Sequence, residues 1–225
     1  MKILAIDTSS PAGSVALAED GRLIAELLLN VDYTHSRRLM RDVDLLLRAV
    51  NLELKDLDGF ALTLGPGSFT GLRIGVATIK GRAMVADKPV AGVLTLDALA
   101  QNLFAPAGEA WALIDARKAE VFAARYLSEP GGMARVGEPL LLAPEELAAR
   151  VPGAAVVLGS GVPICEDALR RIHPDLLVAP RHLWHIRGAA VCELGRRELE
   201  SGHTEDLAGF GPVYLRPSET EFKTP

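Results

Sequence analysis

Apolar positions along this chain recur with two periods, and the change from one to the other marks its elements. Lys2–Asp7 is apolar up to a closing aspartate and reads as a buried strand. Thr8-Ser9-Ser10-Pro11-Ala12-Gly13 is a turn by composition. Ser14–Glu19 and Leu23–Leu29 read as strands joined at Asp20-Gly21, a hairpin signal, so the chain opens on a three-stranded meander. Thr34 is a candidate N-cap, and Leu39, Val43, Leu46, Leu47 and Val50 then fall on one face at helical spacing. Asp58–Leu64 is a further strand. A glycine-rich turn follows, then a helix from Ser68 to Ala86, a strand over Pro89–Val93 and a short helix over Thr95–Leu103.

Past Phe104-Ala105-Pro106-Ala107-Gly108 the pattern partly repeats. Trp111–Asp115 and Glu120–Leu127 read as strands around a charged turn at Ala116-Arg117-Lys118. Pro144–Arg150 is a short helix and Ala154–Leu158 a strand. Pro163–Ile172 and Leu183–Glu200 are helices. Strands first and helices after, in each half, hint at a duplicated lobe. The expected division is 1–104 for the first lobe, 105–216 for the second and 217–225 for a polar tail.

Composition narrows the class. The 225 residues are 49% hydrophobic and 24% charged, an ordinary globular balance. A formal net charge of −5 lacks the basic footprint of a protein that grips nucleic acid alone. The apolar run Ile3–Ile6 is too short for a leader or a membrane span, so a cytoplasmic, non-membrane protein is expected. Cys165 and Cys192 form no motif and read as small core residues.

Candidate chemistry sits at the turns. Asp7 ends a buried strand and is followed by Thr8 and Ser9, a pattern suited to phosphate or a hydrated cation; the same residues also satisfy ordinary turn amides. Gly65-Pro66-Gly67-Ser68 launches a helix N-terminus from a strand end, an anion-site geometry, but no Lys-Ser or Lys-Thr follows as in a P-loop. Gly71, Gly75 and Thr78 then make a small-residue stripe. It either admits a partner helix or packs on the chain's own sheet. On the partner reading, a bulky residue at Gly71 or Gly75 weakens pairing and leaves the fold intact. His182 and His185 have no further ligand at zinc-like spacing, so no metal site is expected. No nucleophile elbow or other assembled triad supports a peptidase.

Three segments, in order, carry a resemblance: Ile3-Leu4-Ala5-Ile6-Asp7-Thr8-Ser9, His35-Ser36-Arg37-Arg38-Leu39, and Leu64-Gly65-Pro66-Gly67-Ser68-Phe69-Thr70-Gly71-Leu72-Arg73-Ile74-Gly75. They resemble the TsaB (YeaZ) family, with a weaker match through Tyr214-Leu215-Arg216. The resemblance implies an α/β, two-lobed actin/Hsp70/sugar-kinase (ribonuclease H-like) fold with mixed sheets flanked by helices. It implies a non-catalytic scaffold or activator that dimerises with the catalytic subunit TsaD. That complex, with a TsaE-like ATPase, adds threonylcarbamoyl to the adenosine beside the tRNA anticodon. The chain would meet tRNA only through the complex, require no cofactor, and when alone a homodimer is the other pairing. The pairing surface implied is the two first-lobe helices, through His35, Arg38, Leu39, Val43, Leu46, Phe69, Gly71, Leu72, Gly75, Thr78 and Ile79. Thr95 and Leu99 stand where TsaD-like chains carry metal-binding histidines. Weak ATP or ADP binding stays open at Asp7, Thr8, Ser9, Gly159 and Gly161. The alternative function is a nucleotide-dependent small-molecule kinase or ATPase of the same superfamily.

Overall fold

A computed structural model describes residues 1–31, 34–103 and 108–216. Most of the expected lobe boundary at 104–108, and the whole 217–225 tail, lie outside the described residues. The chain divides into two compact units, one of Met1–Ala98 with Ile186–Pro212, the other of Leu99–His185 with Val213–Pro225.

The first unit is built on one sheet with strand order β3-β2-β1-β4-β5. β1 (Lys2–Asp7), β2 (Gly13–Glu19) and β3 (Arg22–Leu29) form the expected antiparallel meander, while β4 (Gly59–Gly65) and β5 (Val90–Leu94) add in parallel. Strand periodicity sorts the side chains onto two faces. Leu4, Ile6, Val15, Leu17, Phe60 and Leu62 form a core with Leu39, Val43 and Leu46 of α1 (His35–Ala49) and with Val76 and Ile79 of α2 (Phe69–Ala86). α1 stops where Asn51 takes a left-handed conformation (φ 55°), with the Leu52 amide bonded back to the Leu47 carbonyl.

The other face carries small residues, and α6 (Gly188–Glu200) packs there. A β-carbon on Gly188 would press on Ala16, and one on Gly195 would overlap Ala61. Cys192, between them on the same helix face, places its sulfur 3.5 Å from the Ile3 carbonyl oxygen. This close fit corrects the expected lobe division. The last helix belongs with residues 1–98 and not with the second lobe, because Gly188 and Gly195, facing Ala16 and Ala61, let it approach the sheet so closely. It also begins at Gly188 and not at Leu183; Arg181–Leu183 is a separate 3-10 turn.

After α3 (Thr95–Ala100), the second unit repeats the sheet plan in the order β10-β9-β6-β7-β8. β6 (Glu109–Asp115), β7 (Val121–Glu129) and β8 (Gly132–Leu142) are an antiparallel meander, and β9 (Val156–Leu158) and β10 (Leu177–Val178) add in parallel. Connectivity therefore matches the first unit strand for strand. Trp111, Leu113, Val121 and Val157 pack with Leu147 of α4 (Pro144–Ala148) and Cys165 and Leu169 of α5 (Val162–Ile172). Sequence reading missed β8 and β10. β8 is an edge strand, so it tolerates Gly137 and Pro139, which look like breakers.

Candidate functional site: the first turn and the two helices above it

Asp7 is 1% exposed. Its Oδ1 accepts from the Ser9 amide at 3.1 Å, the Ser9 hydroxyl at 2.5 Å and the Thr63 hydroxyl at 2.7 Å. Thr63, on β4, is a partner the sequence reading did not foresee; no local spacing links it to Asp7. Oδ2 has no hydrogen-bond partner. Asp7 lines a cavity with room for about one water molecule, with Gly13, Ser14, His35, Arg38 and Asp42. Burial pushes the Asp7 carboxyl above the usual carboxylate range, against the hydrogen bonds from Ser9 and Thr63.

A carboxyl raised in this way holds its proton more tightly folded than unfolded. Its ionisation therefore weakens the fold as pH climbs above about 4, the unfolded value. Asp7→Asn removes that penalty. We expect it to raise the thermal midpoint at neutral pH, with the gain vanishing as pH falls towards about 4. Thermal unfolding across pH reads this directly; a constant difference would show that ionisation is not its source.

The hydroxyls beside Asp7 are occupied. Thr8 Oγ1 donates to the Gly71 carbonyl at 2.8 Å, and Ser9 Oγ donates to Asp7. The Ser68 amide donates to the Ser9 carbonyl at 2.7 Å, and Ser68 Oγ caps the helix by accepting from the Gly71 amide at 3.2 Å. Each serine or threonine has one hydroxyl proton. Neither Thr8 nor Ser9 has one left for a phosphate oxygen. The Thr8 and Ser9 hydroxyls therefore donate nothing to a phosphate cradle in this arrangement.

The glycine stripe has the same neighbour. A β-carbon on Gly67 would overlap the Ser9 carbonyl, one on Gly71 the Thr8 carbonyl, and one on Gly75 the Thr8 hydroxyl. The stripe thus packs on the chain's own first turn. The expectation that Gly71 and Gly75 are partner contacts, replaceable without loss of fold, is corrected for that reason. Leu39, Val43, Leu46, Leu72 and Ile79 are corrected as well, being at most 4% exposed and turned into the core. Arg38 is buried, and its guanidinium donates to the Leu29 carbonyl at 3.2 Å and the Pro11 carbonyl at 3.4 Å. His35 Nε2 donates to the Ser10 carbonyl at 2.7 Å. Phe69, under the Arg73 guanidinium at 3.7 Å, and Thr78 keep surface access.

What α1 and α2 turn outward is a different set. Met40 and Leu45 on α1 are 52% and 54% exposed, and Met84 and Val85 on α2 are 68% and 81% exposed. Ala77 and Gly81 lie on the same outer side of α2. The helices are tied together by Arg82, which is buried and donates to Asp44 at 2.7 Å.

Against this geometry stand four likenesses. The family model described as "TsaD: tRNA N6-adenosine threonylcarbamoyltransferase" matches residues 30–157. The tRNA threonylcarbamoyladenosine biosynthesis protein TsaB of Escherichia coli is 38% identical, over 100% of this chain and 99% of its own length. The chain belongs to the TsaB (YeaZ) family. The solved structure of YeaZ from Pseudomonas aeruginosa superposes with a TM-score of 0.82 at 30% identity, covering 95% of this chain and 99% of that one. Component A of (R)-2-hydroxyglutaryl-CoA dehydratase from Acidaminococcus fermentans, at 10% identity and a TM-score of 0.50 over 89% and 99% of the chains, shows the fold alone. That fold is the α/β actin/Hsp70/sugar-kinase type.

In this TsaB-family chain Thr95 and Leu99 are both fully buried. Gly159 and Gly161 lie in the second unit, where a β-carbon on Gly159 would overlap the Leu113 carbonyl. The charged turn between β6 and β7 holds a surprise: Arg117, Lys118 and Ala119 are all left-handed, with φ of 63°, 53° and 57°. Arg216 clamps it, donating to the Ala116 carbonyl at 2.7 Å and pairing with Glu120. Tyr214-Leu215-Arg216 was visible in sequence as part of the family resemblance, but nothing there showed what Arg216 holds. Both thiols are buried, which pushes Cys165 up to about 11 and Cys192 up to about 12. No helix among the described residues is long and apolar enough to cross a membrane.

Proposed function

We propose that this chain serves tRNA threonylcarbamoyladenosine biosynthesis as a non-catalytic subunit, and that it does so by docking a TsaD-type threonylcarbamoyltransferase on the outer face of α1 and α2. The TsaB relatives carry that biosynthesis in their name, and the family model that matches the chain is a TsaD one. The observation that carries the docking reading is the exposure of Met40, Leu45, Met84 and Val85 on two adjoining helices. Large apolar side chains grouped in this way mark a surface made to be covered. On this reading the chain requires no cofactor, works in the cytoplasm, meets tRNA only through the complex, and is joined there by a TsaE-like ATPase.

Met84→Asp with Val85→Asp is the test. Both side chains are exposed, so the unfolding midpoint should stay within experimental error. Affinity for the TsaD-type partner should fall by about a hundredfold, as for loss of interface anchors. Co-expression followed by complex mass and tRNA modification reads it. Undiminished co-purification with an intact fold would refute the docking face.

The second reading, a nucleotide-dependent kinase or ATPase, draws on the unpartnered Asp7 Oδ2. The occupied hydroxyls of Thr8 and Ser9 weigh against it. Micromolar ATP–Mg²⁺ binding with turnover by the isolated chain, read by calorimetry, would favour it.

A further inference from the structure

The small cavity at Asp7 is walled by Gly13 and Ser14 of β2 and by His35, Arg38 and Asp42 of α1. Spacings of three and four put those α1 residues on one side of the helix. A β-carbon on Gly13 would lie 2.9 Å from the Arg38 guanidinium and 3.0 Å from His35 Nδ1, so glycine there leaves both side chains their place. Two buried atoms of the lining residues lack a hydrogen-bond partner among the described residues, Asp7 Oδ2 and Arg38 Nε. Asp7 is 1% and Arg38 8% exposed, so bulk water reaches neither atom. Their neighbours are already engaged. Asp7 Oδ1 accepts from Ser9 and Thr63, and the outer Arg38 nitrogens donate to the Leu29 and Pro11 carbonyls. The Ser14 hydroxyl donates to the Ile186 carbonyl at 3.0 Å.

We propose that this cavity is a binding site for one water molecule, which bridges Asp7 Oδ2 and Arg38 Nε, and that Arg38 thereby keeps a cation off Asp7. The space admits a single water. Its chemistry selects one. Arg38 Nε carries a proton and no lone pair, so the occupant must accept a hydrogen bond. A metal ion has no lone pair to offer, and it would stand beside the positive guanidinium. An anion would stand beside the Asp7 and Asp42 carboxyls. Water has protons and lone pairs together. It donates to Oδ2 when Asp7 is ionised and accepts from it when Asp7 is protonated. Leaving a buried donor and a buried acceptor both unmet is costly, and one bridging molecule removes both costs. The bridge also mounts α1, whose Thr34 supplies no side-chain cap. His35 and Arg38 hold the helix start to carbonyls of the first turn and of β3, and the water adds the end of β1. The sequence Asp7-Thr8-Ser9 suits a hydrated cation; the positive charge that lines the cavity here is instead a side chain of α1. This inference is independent of the docking reading and bears on the nucleotide-dependent one.

Crystallography of the full chain at high resolution tests this. One density peak should lie within about 3 Å of both Asp7 Oδ2 and Arg38 Nε. Asp7→Asn should keep the peak, because a side-chain amide can donate to water or accept from it. Manganese chloride soaked into wild-type crystals should give no anomalous signal at Asp7. Arg38→Met keeps the aliphatic stem and removes the donor and the charge, so the same soak should now give a signal there. In solution, the Arg38 Nε–H of isotope-labelled wild-type protein should show a cross-peak to a water held for longer than the protein takes to tumble. A manganese signal at Asp7 in the wild-type chain overturns the proposal and returns weight to the ATP–Mg²⁺ reading. A cavity without density, together with no water cross-peak, overturns it as well. Arg38→Met crystals that still refuse manganese overturn the part assigned to Arg38 and leave the water site standing. Should Arg38→Met fail to fold, the wild-type peak, cross-peak and soak decide.

Discussion

Gly71→Ala is expected to cost the first unit about 3 kcal/mol or more, a large effect for the addition of one methyl group. The reason is what the methyl meets. It would overlap the Thr8 carbonyl oxygen, a backbone atom fixed by the β1 strand before it and by the Thr8 hydroxyl bond to the Gly71 carbonyl. A flexible side chain could swing away; this oxygen moves only if β1 or α2 does. Gly81→Ala in the same helix is the matched control. Nothing lies within 4 Å of a β-carbon there, so alanine should stabilise by about 1 kcal/mol through helix propensity alone. Chemical denaturation of the two variants gives opposite signs if Gly71 is a contact glycine. Two small changes of the same sign would mean that α2 sits further from the first turn.

Gly195→Leu is the second large effect, again about 3 kcal/mol or more. Its β-carbon would overlap that of Ala61, on a strand whose every residue is buried, so relief must come from lifting α6 off the sheet. Because Gly188 and Ala16 form a second close contact on the same helix face, lifting one end loosens the other. The expected signature is a lowered unfolding midpoint together with new reactivity of Cys192, whose thiol α6 now keeps buried. Thiol labelling of the folded protein checks the second part, and an unlabelled Cys192 in a destabilised variant would show that α6 stays down and the strain is taken elsewhere.

Much of the fold was legible because its strands and helices keep clean periods. The meander, the α1 face built on Leu39, Val43 and Leu46, and the Ser68 cap of α2 all follow from spacing and turn chemistry. The interface was misread for a physical reason. Leu39, Val43, Leu46, Leu72 and Ile79 are the apolar stripes that sequence makes visible, and a visible stripe on a helix is first of all the side that meets its own sheet. A docking face on such a helix lies on what is left over. In α2 even that remainder is apolar: Ala77, Gly81, Met84 and Val85 interrupt no pattern because the helix has little polar face to interrupt. Likewise, Thr63 and Arg216 reach their targets across strands or from far along the chain, at separations of 56 residues to Asp7 and 100 to Ala116, where local pattern is silent.

The return of Ile186–Pro212 to the first unit has a consequence for how the protein is made. During synthesis the opening sheet emerges early, with Ala16 and Ala61 presenting a surface that α6 later covers. Its last structural helix, from Gly188, is translated only after β6 to β10 of the second unit. The inserted unit is therefore positioned to complete its own meander while the outer one waits on the ribosome with an uncovered alanine face. A stop or truncation before Gly188 would leave the opening strands all present and the unit they belong to permanently unfinished.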